Sequence, residues 1–284
     1  LTGAIIEELP GTSDCHDPAD PNDPMTYIHR EALRTPGGSF VPSQTDLLAY
    51  LGLDDAVLCI TRFCVEPPSW KASKKVVGGT KKIRLDEVLA LAPDLVLANK
   101  EENTKADIHA LADHVPVWVS NVSTLSDALD MIRSVGQMTN TSPAATNLVD
   151  QIQQEFLPIS RITKARTLYL IWMDPWMGAA SGTFIDAMMT YLGLTNVLSE
   201  QTRYPVLSES LVRELNPELI LLSSEPYPFS AQHVDLIHKW MPAAQIRLVD
   251  GTYFSWYGSR LLKAAHYFSS IFTPNALRSD QKVG

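Results

Sequence analysis

A two-lobed α/β fold is what this sequence predicts, and three observations predict it. First, Asp86–Asn99, DEVLALAPDLVLAN, reads as a short amphipathic helix, a Pro-Asp turn and a buried strand. Leu85, Val88, Leu89 and Leu91 fall at helical spacing. Pro93 ends the helix, because proline disfavours helical geometry in the residue before it. Leu95, Val96 and Leu97 form the unalternating apolar run of a parallel strand covered on both faces. Second, the form recurs at Glu209–Ser223, ESLVRELNPELILLS, where Val88, Leu91, Pro93, Leu95 and Leu97 map without a gap onto Val212, Leu215, Pro217, Leu219 and Leu221. Third, a helix ending YLGL precedes each copy, at Tyr50–Leu53 and Tyr191–Leu194. The proline follows the tyrosine by 43 residues in the first copy and by 26 in the second, and the 17 extra residues fall in Arg62–Lys82. Two landmarks in the same order point to a duplicated lobe rather than to the general likeness of Leu-rich helix–strand units.

The elements follow in order. Residues 1–37 form a polar arm broken by Pro10, Pro18, Pro21 and Pro24. Its Cys15, His16, Asp17, Asp20 and Asp23 match no closed metal-site spacing. The N-terminal lobe spans 38–122. A short strand ends at Phe40 and Val41, and Pro42-Ser43-Gln44-Thr45 opens a helix, as proline and hydroxyl residues do in a first turn. Leu47, Leu48 and Leu51 face its core and Gly52 closes it. Val57–Thr61 is the next strand. Arg62–Lys82 is a long connection with Phe63, Trp70, Gly78-Gly79 and five lysines, of a length that suggests a functional loop. A helix then runs through Leu111, and Val115–Val119 is a strand. Residues 123–163 link the lobes: a helix over Thr124–Met138, then a backbone helix over 142–160 with Ala145, Leu148, Val149, Ile152, Phe156 and Ile159 on one stripe. At about 18 residues it would be ~27 Å long, stiff enough to limit swinging of the lobes. The C-terminal lobe, 164–284, restarts the pattern with a strand at Thr167–Trp172 and a helix opened by Gly182-Thr183. Strands alternating with helices imply mostly parallel sheets, here two Rossmann-like lobes joined by one helix with a ligand cleft between them.

Composition excludes several classes. With 284 residues, 45% hydrophobic and 19% charged, the chain has an ordinary globular make-up and the size for two lobes. A net charge of -9 gives no basic face for nucleic acid. No apolar run reaches membrane-spanning length. Three cysteines, Cys15, Cys59 and Cys64, are too few for a disulfide framework. The chain opens on Leu1 rather than Met, which leaves room for a removed signal peptide or lipid anchor.

Ligands of open α/β sheets bind beyond the carboxyl ends of the strands. The loops there carry Pro42, Ser43 and Gln44; Arg62, Phe63 and Cys64; Trp70; Gly78–Thr80; Asn99–Asn103; Trp172, Asp174 and Trp176; Tyr204; Glu225–Phe229; and Phe254–Tyr257 with Arg260. Five of the six tryptophans, Trp70, Trp118, Trp172, Trp176 and Trp256, lie on or near them, which favours an aromatic cleft for a flat or bulky ligand over plain packing. No nucleophile elbow, phosphate loop or dinucleotide fingerprint is present. His109, His233, His238 and His266 fall on predicted helices in surface or edge positions, and Cys64 has no identifiable base.

At Phe40–Leu53, FVPSQTDLLAYLGL, the chain resembles the helical-backbone (class III) periplasmic substrate-binding proteins of ABC importers. The resemblance continues through Thr61-Arg62-Phe63-Cys64, Val77-Gly78-Gly79-Thr80-Lys81 and Pro93–Ala98, covers about residues 38–275, and looks nearest to the cobalamin-binding-like branch. It implies two α/β lobes joined by one long helix, binding without catalysis, and docking onto a membrane permease with its ATPase. It carries a ligand site to Pro42, Phe63, Gly79, Trp172, Tyr204, Tyr227 and Trp256; Ser43, Trp70, Trp176 and Arg260 join these from the loop reading. It implies no intrinsic cofactor; the transported ligand would be cobalamin, haem or an iron siderophore. It implies a monomer that is periplasmic or a membrane-anchored lipoprotein. Permease docking falls to Glu102 in the first lobe. In the second, the expected position holds Ser210, with Glu209 beside it. A further departure is Pro36-Gly37-Gly38, where members usually have a basic residue and a hydrophobic strand. The competing classes are an enzyme or metallocluster protein using Cys64 or Cys59, and a cytoplasmic ligand sensor.

Overall fold

A computed structural model describes residues 5–7 and 36–272. The polar arm with Cys15, His16, Asp17, Asp20 and Asp23 lies outside the described residues, apart from the short strand β1 (Ile5–Glu7). The chain divides into two compact units. The first holds the described residues up to Val122, with Ser126–Asp150 and Tyr257–Ser259; the second holds Ser123–Leu125, Gln151–Trp256 and Arg260 onward.

The first unit is built on a six-stranded parallel sheet. Its strands are β1, β2 (Pro36–Ser39), β3 (Cys59–Ile60), β4 (Lys75–Val76), β7 (Leu95–Asn99) and β8 (Val117–Ser120), in the order β1-β8-β7-β2-β3-β4. An antiparallel hairpin, β5 (Gly78–Gly79) with β6 (Lys82–Ile83), stands apart from it. The second unit orders β10 (Met177–Gly178), β9 (Arg166–Trp172), β12 (Leu219–Ser223) and β13 (Gln245–Val249) as β10-β9-β12-β13. There β11 (Thr195–Asn196) pairs in parallel with the start of β9, and β10 runs antiparallel along its end.

The duplication read from the sequence has a structural counterpart. The order β8-β7-β2-β3 in the first unit repeats as β13-β12-β9-β11 in the second. In each, the helix–proline–strand segment supplies the strand beside the opening one: β7 is buried at all five positions, and so is β12. The inward valines of the preceding helices, Val88 and Val212, are buried in the two cores. Proline acts as the sequence argument requires. The residue before it leaves helical geometry in both copies and takes a left-handed conformation, with φ of 48° at Ala92 and 44° at Asn216. The glycines of the two YLGL ends are left-handed too, φ 75° at Gly52 and 89° at Gly193.

Three expectations need correction. Arg62–Lys82 is not a loop: it contains a helix, Trp70–Ser73, the extra parallel strand β4 and most of the β5–β6 hairpin. Short, weakly patterned elements leave no periodicity to detect. Strand β2 lies at Pro36–Ser39, ahead of the expected Phe40–Val41, although the Phe40 N–H still bonds the Leu97 carbonyl (3.0 Å). Its unusual glycines have a steric reason, since a Cβ at Gly37 would collide with Pro93 and one at Gly38 would sit 3.1 Å from Val96 Cγ2. The backbone helix ends at Phe156 rather than near residue 160, and Leu157–Ile159 tightens to a 3₁₀ turn. Pro158 has no N–H to continue the α ladder.

Candidate functional site

The carboxyl end of the first sheet carries a buried polar layer. Ser39, Asn99 and Ser120 are the last residues of β2, β7 and β8, and Thr61 directly follows β3. All four are buried, so their hydroxyls and amide must find partners inside the protein. Ser39 Oγ meets Thr45 Oγ1 at 2.7 Å. Cys64 Sγ lies 3.0 Å from Thr45 Oγ1 and 3.3 Å from Thr61 Oγ1. Gln44 Nε2 donates to Ser120 Oγ (2.6 Å), as does Asn99 Nδ2 (3.0 Å). Asn99 Oδ1 in turn accepts the N–H groups of Glu101 and Glu102, and Asn103 Nδ2 donates to the Thr80 carbonyl (3.1 Å). This network ties the loops after the strands to one another.

On that platform Pro42 occupies the first turn of the Pro42–Tyr50 helix. Phe63 projects outward, 47% exposed, with the Arg62 guanidinium 4.8 Å from its ring centre. Gly79 lies against both, since a Cβ there would be 3.2 Å from Phe63 Cε2 and 3.3 Å from Arg62 Nε. Phe63 and Gly79 are therefore brought together. Ser43 is not presented: it is buried, and its carbonyl faces Gly258. Trp70 is likewise corrected to a core residue, 2% exposed, with its indole N–H donated to Asp54 Oδ1 (2.8 Å). Trp118 is fully buried on β8. Burial hides the two thiols as well. It pushes Cys59 up to about 12, with Cys64 contributing. Cys64 is raised by burial against opposing hydrogen bonds from Thr45 and Thr61. Both stay neutral thiols, which is the inert condition.

The second unit places its aromatic residues in two groups. At the end of β9, Trp172 is 38% exposed and meets the Tyr227 ring edge-on, 5.6 Å between centroids at 72°. Tyr227 is held by its N–H on the Ile171 carbonyl (3.3 Å) and by Phe229 at 4.8 Å. Behind it, Trp176 stacks on Phe229 (6.0 Å, 9°) and abuts Trp240 (4.9 Å), so Trp176 belongs mainly to packing. Tyr204 is half-buried in the segment alongside β10, where Val206 bridges Met177, the partner of Trp172.

The other group surrounds Glu225. Its Oε1 accepts from Ser255 Oγ (2.7 Å) and Trp256 Nε1 (2.9 Å). The Arg260 guanidinium lies over Trp256 at 4.9 Å and near Tyr253 at 5.8 Å. Burial raises the Glu225 carboxyl above its ordinary range, opposed by the two hydrogen bonds and by Arg260 and reinforced by Asp250. Trp256 is itself buried.

Sequence reasoning assigned His233 to a surface or edge position. It is buried, and it is the third residue of the Ala231–Trp240 helix. Its signal was the Ser230-x-x-His233 spacing, which matches a capping box with histidine in the usual Glu/Gln place. Of the docking residues, Glu102 is half-buried with its N–H on Asn99. Glu209 is exposed and paired with Arg213 at 2.6 Å. Ser210 bonds Ser208 (2.9 Å). Among the described residues no group of three His, Cys, Asp or Glu side chains could hold a metal ion, and no helix is long and apolar enough to cross a membrane.

Parallel α/β units with repeated strand order and aromatic side chains at the strand ends define a small-molecule binding scaffold. The family is specific: a family model described as periplasmic binding protein matches residues 39–248, and the chain belongs to that family of substrate-binding transport proteins. A vitamin B12-binding protein of Pectobacterium carotovorum subsp. carotovorum (strain PC1) is 23% identical over 83% of this chain and 87% of its own length. An uncharacterized ABC transporter substrate-binding lipoprotein of Bacillus subtilis (strain 168) is 26% identical over 64% of this chain and 62% of its own. Among solved structures, a periplasmic heme-binding protein from Pseudomonas aeruginosa has a TM-score of 0.74 at 17% identity, covering 86% of this chain and 94% of that one. The periplasmic vitamin B12-binding protein of Vibrio cholerae has 0.71 at 18%, covering 88% and 99%. These share the fold.

Proposed function

We propose that this protein is the substrate-binding component of an ABC importer. It captures a cobalamin-, haem- or iron-siderophore-like ligand at the loops beyond the strand ends and delivers it to a membrane permease with its ATPase. The observation that carries the reading is the half-exposed Trp172 indole set edge-on to Tyr227 at the end of β9. Large, rigid aromatic surface of this kind suits a flat or bulky ligand. The names of the relatives point the same way, two vitamin B12-binding and one heme-binding. Phe63 with Gly79 is the corresponding candidate surface of the first unit, and Pro42, Tyr204, Trp256 and Arg260 complete the set. Trp70 and Ser43 drop out because they are buried. Glu102 and Glu209 are the candidate permease contacts, where exposed charge would steer docking and set register. The protein works as a monomer in the periplasm or as a membrane-anchored lipoprotein.

The test is tryptophan fluorescence during titration with cyanocobalamin, hemin and a ferric hydroxamate chelate. A saturable change with one of them at micromolar concentration, weakened by Trp172→Ala, is the expected result. No response to any of them would sink the reading.

A further inference from the structure

The hydroxyl of Tyr227 sits in a chain of hydrogen bonds whose direction is fixed from one end. The backbone N–H of Ser230 points at His233 Nδ1, 2.9 Å away. A backbone N–H can only donate, so Nδ1 must present its lone pair, and the ring hydrogen of the neutral imidazole is on Nε2. Nε2 lies 3.2 Å from Tyr227 Oη. His233 therefore donates and the phenolic oxygen accepts. The Tyr227 hydrogen must turn elsewhere, and the acceptor it meets among the described residues is Met173 Sδ at 4.0 Å. A thioether is a weak acceptor, so this hydrogen is poorly satisfied, on a half-buried ring in edge contact with the exposed Trp172.

We infer that His233 is a positioning residue that commits the Tyr227 hydroxyl to donate, which makes the Trp172–Tyr227 surface selective for ligands that place an oxygen acceptor over it. A carboxylate, amide carbonyl or phosphoryl oxygen would take the place of the sulfur. A ligand offering a donor there would leave two hydrogens facing each other, and an apolar one would leave the hydroxyl with the thioether alone. The specificity rests on the reading of Trp172–Tyr227 as a ligand surface. The polarity of the His233–Tyr227 pair does not.

Two measurements separate these. In ligand-free protein, ¹⁵N–¹H correlation of the histidine side chains at neutral pH is expected to show His233 with a protonated Nε2 and a bare Nδ1. The opposite tautomer would overturn the inference. For binding, His233→Glu keeps the helix cap, because glutamate is an ordinary partner at that capping position, but its carboxylate only accepts, so the donor to Tyr227 is gone. Cyanocobalamin and hemin are the probes. Tyr227→Phe should weaken the better-bound probe roughly three- to tenfold, the worth of one neutral hydrogen bond. His233→Glu should weaken it by a similar factor in the wild-type background, because the carboxylate draws the Tyr227 hydrogen to itself, and by none in the Tyr227→Phe background. Equal effects of His233→Glu in both backgrounds would refute the claim that His233 acts through Tyr227. If neither probe binds, the specificity falls with the ligand-binding reading, while the tautomer spectrum still decides the polarity of the pair.

Discussion

Replacing Glu225 by alanine and by glutamine separates the hydrogen bonds of its carboxyl from its charge. Alanine removes the acceptor of two donors. Ser255 Oγ retains a second acceptor in the Gly251 carbonyl at 2.9 Å, so the lasting loss falls on the Trp256 indole N–H. That group is on a side chain only 6% exposed, and an unsatisfied buried donor costs about 1–3 kcal/mol. We expect Glu225→Ala to lower stability by about 2 kcal/mol on that scale. Glutamine keeps an oxygen at the same place and carries no charge to desolvate, so Glu225→Gln should be close to neutral at pH 7. The pH dependence has a definite sign. The folded-state value of Glu225 is raised above 4.5, so the folded protein holds this proton more tightly than the unfolded chain does. Its contribution is fully present below pH 4.5 and is lost as pH rises through the folded value. Glu225→Gln should lack that component. The assay is urea unfolding followed by tryptophan emission at several pH values from 4 to 8 (about one per unit), comparing midpoints at unchanged slope. If glutamine destabilises as much as alanine and keeps the wild-type pH slope, Glu225 does not hold Trp256 in the manner described.

Three further outcomes follow from the packing. Gly37→Ala should cost about 1–3 kcal/mol, typical of overpacking, because its Cβ meets the ring of Pro93 and lies 2.8 Å from the Pro93 Cα; urea midpoints read this directly. Val88→Ala and Val212→Ala should each cost about 1.5–3 kcal/mol, and similar losses from the two would match their equivalent places in the two cores. In folded protein Cys59 and Cys64 should resist a thiol-disulfide reagent at pH 8 and react on unfolding. Rapid reaction of Cys64 in the native state would favour the enzymatic alternative.

Much of the fold was legible because apolar periodicity and proline are local signals. The helix and strand around Pro93 and Pro217 could be read without tertiary information, since each face is written into residues a few positions apart. Arg62–Lys82 was not legible, because two-residue strands have no period and depend on pairing: Lys75 and Val76 are a strand only beside Cys59 and Ile60. At the candidate site, aromatic type and loop position pointed to Phe63, Trp172 and Tyr227, which the structure leaves half-buried or exposed. They could not separate these from Trp70, Trp118 and Trp176, which have the same chemistry but face inward or pack on other rings. His233 was misplaced because a polar residue on a helix normally faces water, and only Ser230 and Tyr227 together make its burial tolerable.

By itself the sequence determined the repeated α/β unit, its two prolines and the loops on which a ligand site would lie, because those depend on spacing along the chain. The tertiary structure alone decided which side chains on those loops are presented and which way their hydrogens point. Exposure and hydrogen-bond direction are set by neighbours distant in sequence: Asp54 against Trp70, Glu225 against Trp256, and Met173 against Tyr227.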